Sequence, residues 1–394
     1  MNILNHKNLI KTLCIVLIAL TSASTVKAYP PDNAAILYYK AFLMLQEPSE
    51  EVKKMMQQLR EGKIKPNNQI KQHLQDNRYI MEFAETAAEI RHCDWGYDIS
   101  KGLGVLMPEL LKLRLTAFMF TAKAQILAEE GDYKAAISKC LTIHKMARHV
   151  GDRLLISYLV GNALNNLANQ RIEDFLSNMP EDLETLVWLK SQTVSISVNA
   201  ASIKVAMARE KEIAMQELRK ERIDSLLETM GDDFIKDEIT ADAVKKVRAG
   251  DSKFFKDNRE YYAGLMDDVI VALDLPYQES HRKLNELNDR AQKDAKTNPA
   301  AIMAALLVPA NSRILTIGTK RSTFFNAIRA AIDIYIIKTR TGRLPDTLPD
   351  GLPRDLFSGK DFEYEKTKDG FILCCRGKDL DKDEIYQYEF KVPK

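Results

Sequence analysis

The stretch Gly342 to Tyr364, GRLPDTLPDGLPRDLFSGKDFEY, sets three prolines and three glycines between two contrasting patterns. Before it, Phe324, Ile328, Ala331 and Tyr335, with Phe325, Ile332 and Ile336 beside them, form the wide apolar stripe of a helix expected to end near Arg340. Gly342 supplies the stop, and Pro345, Pro349 and Pro353 forbid a continuation, because proline lacks the amide proton and clashes with the preceding turn. After Ser358-Gly359, the segments Phe362 to Lys366, Phe371 to Cys375 and Ile385 to Val392 read as short strands. The first two are joined across Thr367-Lys368-Asp369-Gly370, and Asp-Gly between apolar alternations is a strong hairpin signal. The chain is therefore expected to close in a helix laid on a small antiparallel sheet.

Nothing before residue 360 alternates as a strand does, so the predicted fold class is mostly α: an irregular helical-hairpin array followed by a small C-terminal α+β module. Asp32 to Leu45 opens with an N-cap candidate in Asp32. Ser49 to Gly62 follows, and the two are expected to form an antiparallel pair. A third helix is predicted over Gln69 to His92, then the segment HCDWGYDISKG. Beyond Pro108, the residues Leu110, Leu113, Ala117, Phe120, Ala124 and Leu127 lie on one helical face that stops at Glu130-Gly131. Asp152 to Leu176 and a very long, charge-rich run from Pro180 to Met230 continue the array. Its mixed signs read as a solvated face, with a docking strip as the alternative. Gly250, Pro276, Pro299 and Pro309 punctuate shorter helices up to a charged turn expected at Lys320-Arg321. Ile302 to Val308 reads as buried core, and no later segment runs for about 20 residues without charge.

The N-terminus carries Lys7 and Lys11, an apolar run from Leu13 to Leu20, and then Val26-Lys27-Ala28. That order is a secretory signal peptide with cleavage after Ala28. The run is shorter than the ~20 apolar residues of a permanent span, and Cys14 stands at its front, where no lipid-anchor cleavage is expected. The expectation is a protein secreted across the inner membrane, periplasmic or extracellular, with no integral membrane segment. Cleavage leaves 366 of the 394 residues and takes Lys7, Lys11 and Lys27, so 54 of the 57 basic residues face 55 acidic ones. Such a balance has no electrostatic footprint for nucleic acid. The expected division is a leader at 1–28, a helical array at 29–320 and the terminal module at 321–394. Cys93, Cys140, Cys374 and Cys375 are too few for a disulfide scaffold, and their pairing is not readable from spacing.

Gly131, Asp132, Tyr133, Ala136 and Ile137, with Ala124 in the preceding helix, resemble the turn and second helix of a tetratricopeptide repeat. The likeness covers about 34 residues; Arg148 stands where that repeat closes with proline, and no second copy follows in register. In the terminal module, Tyr335, Gly342-Arg343-Leu344-Pro345, Leu348, Asp355-Leu356-Phe357-Ser358-Gly359-Lys360, Phe362, Tyr364 and Gly370-Phe371 resemble the C-terminal module of type II secretion pseudopilins. That resemblance implies a hairpin sheet able to carry a calcium-binding acidic loop, here Gly377 to Glu384. Asp379, Asp381 and Asp383 alternate as hard-cation ligands do, although the pseudopilin Asp-Gly pattern is absent and a solvated turn is the alternative. The methylated pilin-type helix is also absent, so a pilus subunit is not expected. Tyr29 to Ala35, Cys93 to Asp98 and the terminal module together are similar to a family of uncharacterised secreted bacterial proteins. That likeness implies the compartment and the two-part architecture, and no activity.

Zinc motifs, a Gly-x-Ser-x-Gly elbow and phosphate-binding glycine loops do not occur. His144 and His149, five apart on a helix, point roughly 140° apart. The one cluster of titratable and aromatic residues in a loop is His92-Cys93-Asp94-Trp95-Gly96-Tyr97-Asp98. One reading has Trp95 and Tyr97 stacking on a sugar while Asp94 and Asp98 act as acid and base; the other has Trp95 plugging the helices and Asp94 capping a turn. Cys374 and Cys375 are expected on opposite faces of a strand. The leading expectation is a non-catalytic scaffold binding another envelope protein or peptide, with Trp95, Tyr97 and Tyr133 as contact residues. An envelope polysaccharide hydrolase and a calcium-stabilised structural module are the alternatives.

Overall fold

A computed structural model describes residues 31–98, 102, 105, 107–150, 154–198, 202–230, 238–308 and 311–392. The expected leader 1–28, Tyr29, Pro30 and Pro309 lie outside these residues. Helices begin where a side chain satisfies the free amides of a first turn. Asn33 Oδ1 accepts from Ala35 N at 3.1 Å, Ser49 Oγ from Val52 N at 3.3 Å and Asn67 Oδ1 from Ile70 N at 2.9 Å. Asn33, not Asp32, is thus the first cap. Helices α1 (Ala34–Met44), α2 (Glu50–Arg60), α3 (Asn68–Asp76) and α4 (Arg78–Glu89) follow. The helix expected over 69–92 is split at buried Asn77, whose amide serves Gln46 instead, donating to its carbonyl at 3.2 Å and accepting from its N–H at 3.0 Å. The expected pairing of the first two helices also gives way: α1 packs on α4, where Ala84, Ala87 and Ala88 let the axes approach, and α2 packs on α3 and α5.

Helices α5 (Glu109–Glu129), α6 (Tyr133–Val150) and α7 (Leu155–Asn178) pack consecutively through short connections. The turn between α5 and α6 is fixed by its own residues. Gly131 takes φ +87°, Asp132 Oδ1 caps Ala135 N at 3.0 Å, and Ala124 and Ala136 are fully buried. The run from Pro180 to Met230 is not one helix. It divides into α8 (Leu183–Val198), α9 (Ile203–Glu217), a single 3₁₀ turn and α10 (Ile223–Met230). Then come α11 (Glu238–Arg248), α12 (Ser252–Ala272), α13 (Tyr277–Asp294), α14 (Ile302–Leu307) and the 31-residue α15 (Asn311–Thr341).

The turn expected at Lys320-Arg321 is absent, for both lie within α15. Arg321 is held there because its Nε donates to Asn162 Oδ1 of α7 at 2.9 Å. Gly318 lets the Tyr158 hydroxyl lie where a Cβ would stand. The span Pro299–Thr341 is long and apolar enough to cross a membrane by length and composition, yet α15 packs against α7, α8, α13 and the sheet.

Strands β1 (Glu363–Thr367), β2 (Gly370–Cys374) and β3 (Gln387–Lys391) form an antiparallel sheet in the order β1-β2-β3. Thr367 pairs with Gly370, so the hairpin loop is Lys368-Asp369 and Gly370 already belongs to β2, where a Cβ would strike the Phe390 carbonyl. The chain is therefore mostly helical with a small C-terminal three-stranded antiparallel sheet. Two apolar cores run through it. One joins α1 to α8, the second half of α15 and the inner face of the sheet, where Tyr335 meets Phe371 and Phe390 edge-on at 5.5 and 6.5 Å. The other gathers α9 to α14 around Tyr262, Met266 and Leu284, with Tyr158 and Ile314 reaching in.

The proline-rich stretch is organised by one carboxylate. Asp355 is fully buried; its Oδ1 accepts from Phe357 N at 2.8 Å. Its Oδ2 accepts from Ser358 Oγ at 2.6 Å, Arg376 N at 2.9 Å and Gly377 N at 2.8 Å. The turn after Pro353 is thereby tied to the end of β2. Truncation by Asp355→Ala leaves buried amides unsatisfied, so stability should fall by about 3 kcal/mol or more. Urea denaturation of the purified chain measures it, and a loss under about 1 kcal/mol would mean that the turn is held by its prolines alone.

Candidate functional site

The segment 92–98 is laid into the wall of the fold. The Asn33 amide brackets Asp94, donating to its carbonyl and accepting from its N–H, both at 2.8 Å. Trp95 is 5% exposed. Its ring stacks on Tyr38 at 5.4 Å and Phe42 at 6.4 Å, meets Tyr39 edge-on at 5.5 Å, and donates Nε1–H to the His149 carbonyl at 2.8 Å. A stacking platform needs an open face, and Trp95 has none. Asp94 Oδ1 closes a turn by accepting from Gly96 N at 3.1 Å, Gly96 having φ +69°. The Tyr97 hydroxyl donates to the buried carboxylate of Glu109, and burial, then Glu109, pushes its pKa well up. Asp98 lies on the surface beside them. The expected sugar site is thus a structural plug of aromatic rings, with Asp94 as a turn cap.

The acidic loop is likewise spoken for. Asp379 is 1% exposed. Its Oδ1 accepts from Asp381 N and Lys382 N at 2.9 and 3.1 Å, and Oδ2 accepts from the Tyr386 hydroxyl at 2.5 Å. Asp381 reaches Nε2 of His281 on α13 at 2.9 Å, and Asp383 pairs with Lys378. The three carboxylates thus have three separate partners, and among the described residues no cluster of His, Cys, Asp and Glu is set to hold a metal ion. Cys375, just past the end of β2, is buried and Cys374 half-buried, and Cys140, Cys374 and Cys375 are free thiols. His144 and His149 are both core residues, 4% and 5% exposed.

A different feature of the array is open to a ligand. Arg60 ends α2, and Arg114 and Phe118 stand one turn apart on α5. The Arg60 guanidinium lies 4.8 Å from the Phe118 ring centre and that of Arg114 5.4 Å from it. Among the described residues neither guanidinium has an ion pair or hydrogen-bond partner. Burial lowers the Arg60 pKa, with Glu61 opposing it and the charges of Arg114 and Arg171 adding to it. Arg171 fixes the strap after α2, donating to the Arg60 carbonyl at 2.6 Å and to Gln125 at 3.2 Å. One cavity of about 190 Å³ opens beside the ring among Leu45, Met56, Leu115 and Met119, with Lys53 and His73 at its edge. A groove of about 510 Å³ continues between α5 and α7 past Leu159, Val160, Ala163, Asn166 and Gln170. Tyr133 lines a neighbouring cavity of about 500 Å³ with Lys63, Lys65, Arg171 and Phe175. Its ring meets Phe175 edge-on at 6.3 Å and its hydroxyl donates to the Asn178 carbonyl at 3.3 Å.

Sequence reasoning passed over Arg60, Arg114 and Phe118. The available signal was the Arg114/Phe118 spacing of four on a helix whose apolar stripe lies elsewhere. No family model, curated protein or solved structure matches this chain.

The plug carries a titration. Tyr38 donates to His149 Nδ1 at 3.0 Å while Nε2–H donates to the Ile90 carbonyl at 2.8 Å, a neutral ring. Burial, then Arg148, holds His149 down to about 4, and burial holds His144 there too. The unfolded chain takes up protons near pH 6.5 that the fold refuses, so this stability is present above about 6.5 and is lost as pH falls toward 4. Glu173, pushed up to about 7 by burial, acts oppositely in the same window. The comparison of His149→Gln with the wild type isolates the histidine. Urea midpoints between pH 7 and 4.5 should fall less steeply in the variant, by up to about 1 kcal/mol per pH unit. Equal slopes would mean that His149 is protonated within the fold.

Proposed function

We propose that this chain is a non-catalytic, secreted scaffold of the cell envelope whose cleft between α2, α5 and α7 binds a segment of another envelope protein. The observation that carries the reading is the group of Arg60, Phe118 and Arg114, two guanidiniums with no ion-pair or hydrogen-bond partner among the described residues, beside partly apolar walls. A charged group left unpaired where neighbours are apolar is costly in isolation and favourable once a complementary group arrives. Helical arrays expose concave faces between alternate helices, and α5 and α7 flank this one with α6 packed on both. The polysaccharide and calcium readings have no comparable feature, since Trp95 faces the core and the acidic loop carboxylates have partners of their own.

The test is site-specific photocrosslinking in intact cells, with benzoyl-phenylalanine at Gln170 in the groove or at exposed Glu260 on α12. A discrete protein adduct should form from Gln170 and not from Glu260. Adducts from both positions alike, or from neither, would overturn the cleft as the binding surface.

A further inference from the structure

Resting on that reading, the geometry points to the chemistry of the occupant: an extended peptide segment that carries two carboxylates beside one large apolar side chain. Three independent features of the cleft converge on it.

The first is charge. Each guanidinium lies over the Phe118 ring, and its N–H groups make no hydrogen bond among the described residues. A guanidinium edge matches a carboxylate bidentately, as an ammonium does not. Two guanidiniums share one ring, and two carboxylates would answer both charges while gaining charge-assisted hydrogen bonds. Lys53 is already paired with Glu50 at 2.6 Å, so the unpaired charge is that of Arg60 and Arg114. The second is volume. An apolar cavity of about 150 Å³ holds a benzene ring; the one beside Phe118, about 190 Å³, with Leu45, Met56, Leu115 and Met119 as its apolar walls and Gln57, His73 and Thr121 also lining it, has room for a Leu, Met or Phe side chain. The third is spacing. Asn166 and Gln170 line the groove one turn apart on α7, and their side-chain amides make no hydrogen bond among the described residues. Groups one turn apart sit about 6 Å from each other, close to the two-residue repeat of an extended chain at about 6.6 Å. They are placed to pair with successive outward backbone groups of such a segment. Two guanidiniums do not make the long basic track that a phosphate polymer requires.

The experiment uses the full chain and a fluorescein-labelled probe, Gly-Ser-Glu-Leu-Glu-Ser-Gly, read by anisotropy. Binding should weaken at least about tenfold when both Glu are replaced by Gln, when Leu is replaced by Gly, and in Arg60→Gln or Arg114→Gln. It should weaken several-fold between about 50 and 300 mM salt. Arg60→Lys, which keeps the charge and loses the fork, should fall between wild type and Arg60→Gln. Unchanged melting temperatures separate these effects from unfolding. No binding of the acidic probe at about 1 mM, or binding indifferent to both arginines, overturns the proposal. Inorganic polyphosphate binding more tightly than the probe through the same arginines also overturns it, in favour of a phosphate polymer. Crosslinks from Gln170 that survive Arg60→Gln together with Arg114→Gln would leave the cleft as the binding surface while removing the acidic occupant. Loss of crosslinking at Gln170 in the wild type removes both.

Discussion

Helix α15 is the constraint on which the rest of the molecule depends. It is 31 residues long and apolar on several sides, and a helix that is apolar around much of its circumference must be enclosed. Its first half reaches the second core through Ile314, and its second half, from Phe324 to Ile336, sits in the first core with the sheet. Enclosure demands local concessions. Gly318 gives up a side chain so that Tyr158 can lie against the helix, and Arg321, buried among α7 residues with its pKa lowered by that burial, must be answered by Asn162. The two cores are therefore not beads on a string; one element belongs to both.

The same economy explains the cleft. Helix α5 buries Leu113, Ala117, Phe120 and Ala124 completely, which commits one face to the core. Arg114 and Phe118 fall on the adjoining stripe, where α2 ends and α7 passes. Arg171 clasps the last carbonyl of α2, so the Arg60 side chain is set beside the ring by the packing of α2 and by a tie to α7. Arg60 is held half-buried and Arg114 exposed, neither with an ion-pair or hydrogen-bond partner among the described residues, and cations in that position are poised for an external anion.

The terminal module was legible in the sequence because its signals are local. Prolines end the helix, Gly342 adopts φ +76°, and alternation marks the strands. The role of Asp355 was visible only as part of a family-like motif; two of its four hydrogen bonds, those from Arg376 N and Gly377 N, depend on the end of β2 closing over it. Elsewhere, tertiary contacts overrode local preference. The run Glu181 to Met230 holds no glycine or proline, so nothing local announces the breaks that divide it. Adjacent Lys320 and Arg321 look like a solvent turn until Asn162 is known to receive the arginine. Trp95 reads as exposed in a loop, but Tyr38, Phe42 and the His149 carbonyl, all far away in sequence, claim it. The cleft was invisible for the same reason: Arg60 and Arg114 are 54 positions apart and meet only across a ring.

The sheet edge carries a further meaning. Lys391 of β3 donates its N–H to Ser177 Oγ at 3.3 Å and accepts from the Tyr335 hydroxyl at 2.6 Å, so a residue late in the chain seals a seam opened more than two hundred positions earlier. A polypeptide emerging N-terminus first presents α1 to α8 with one apolar flank bare until Phe371 and Phe390 follow. Contacts of such sequence separation close late and slowly. A nascent copy is sticky and protease-accessible for most of its synthesis, and a copy interrupted before the final hairpin never acquires its cover. The architecture thus makes the cover of one core wait on β3, the strand that closes both the sheet and the seam with α7.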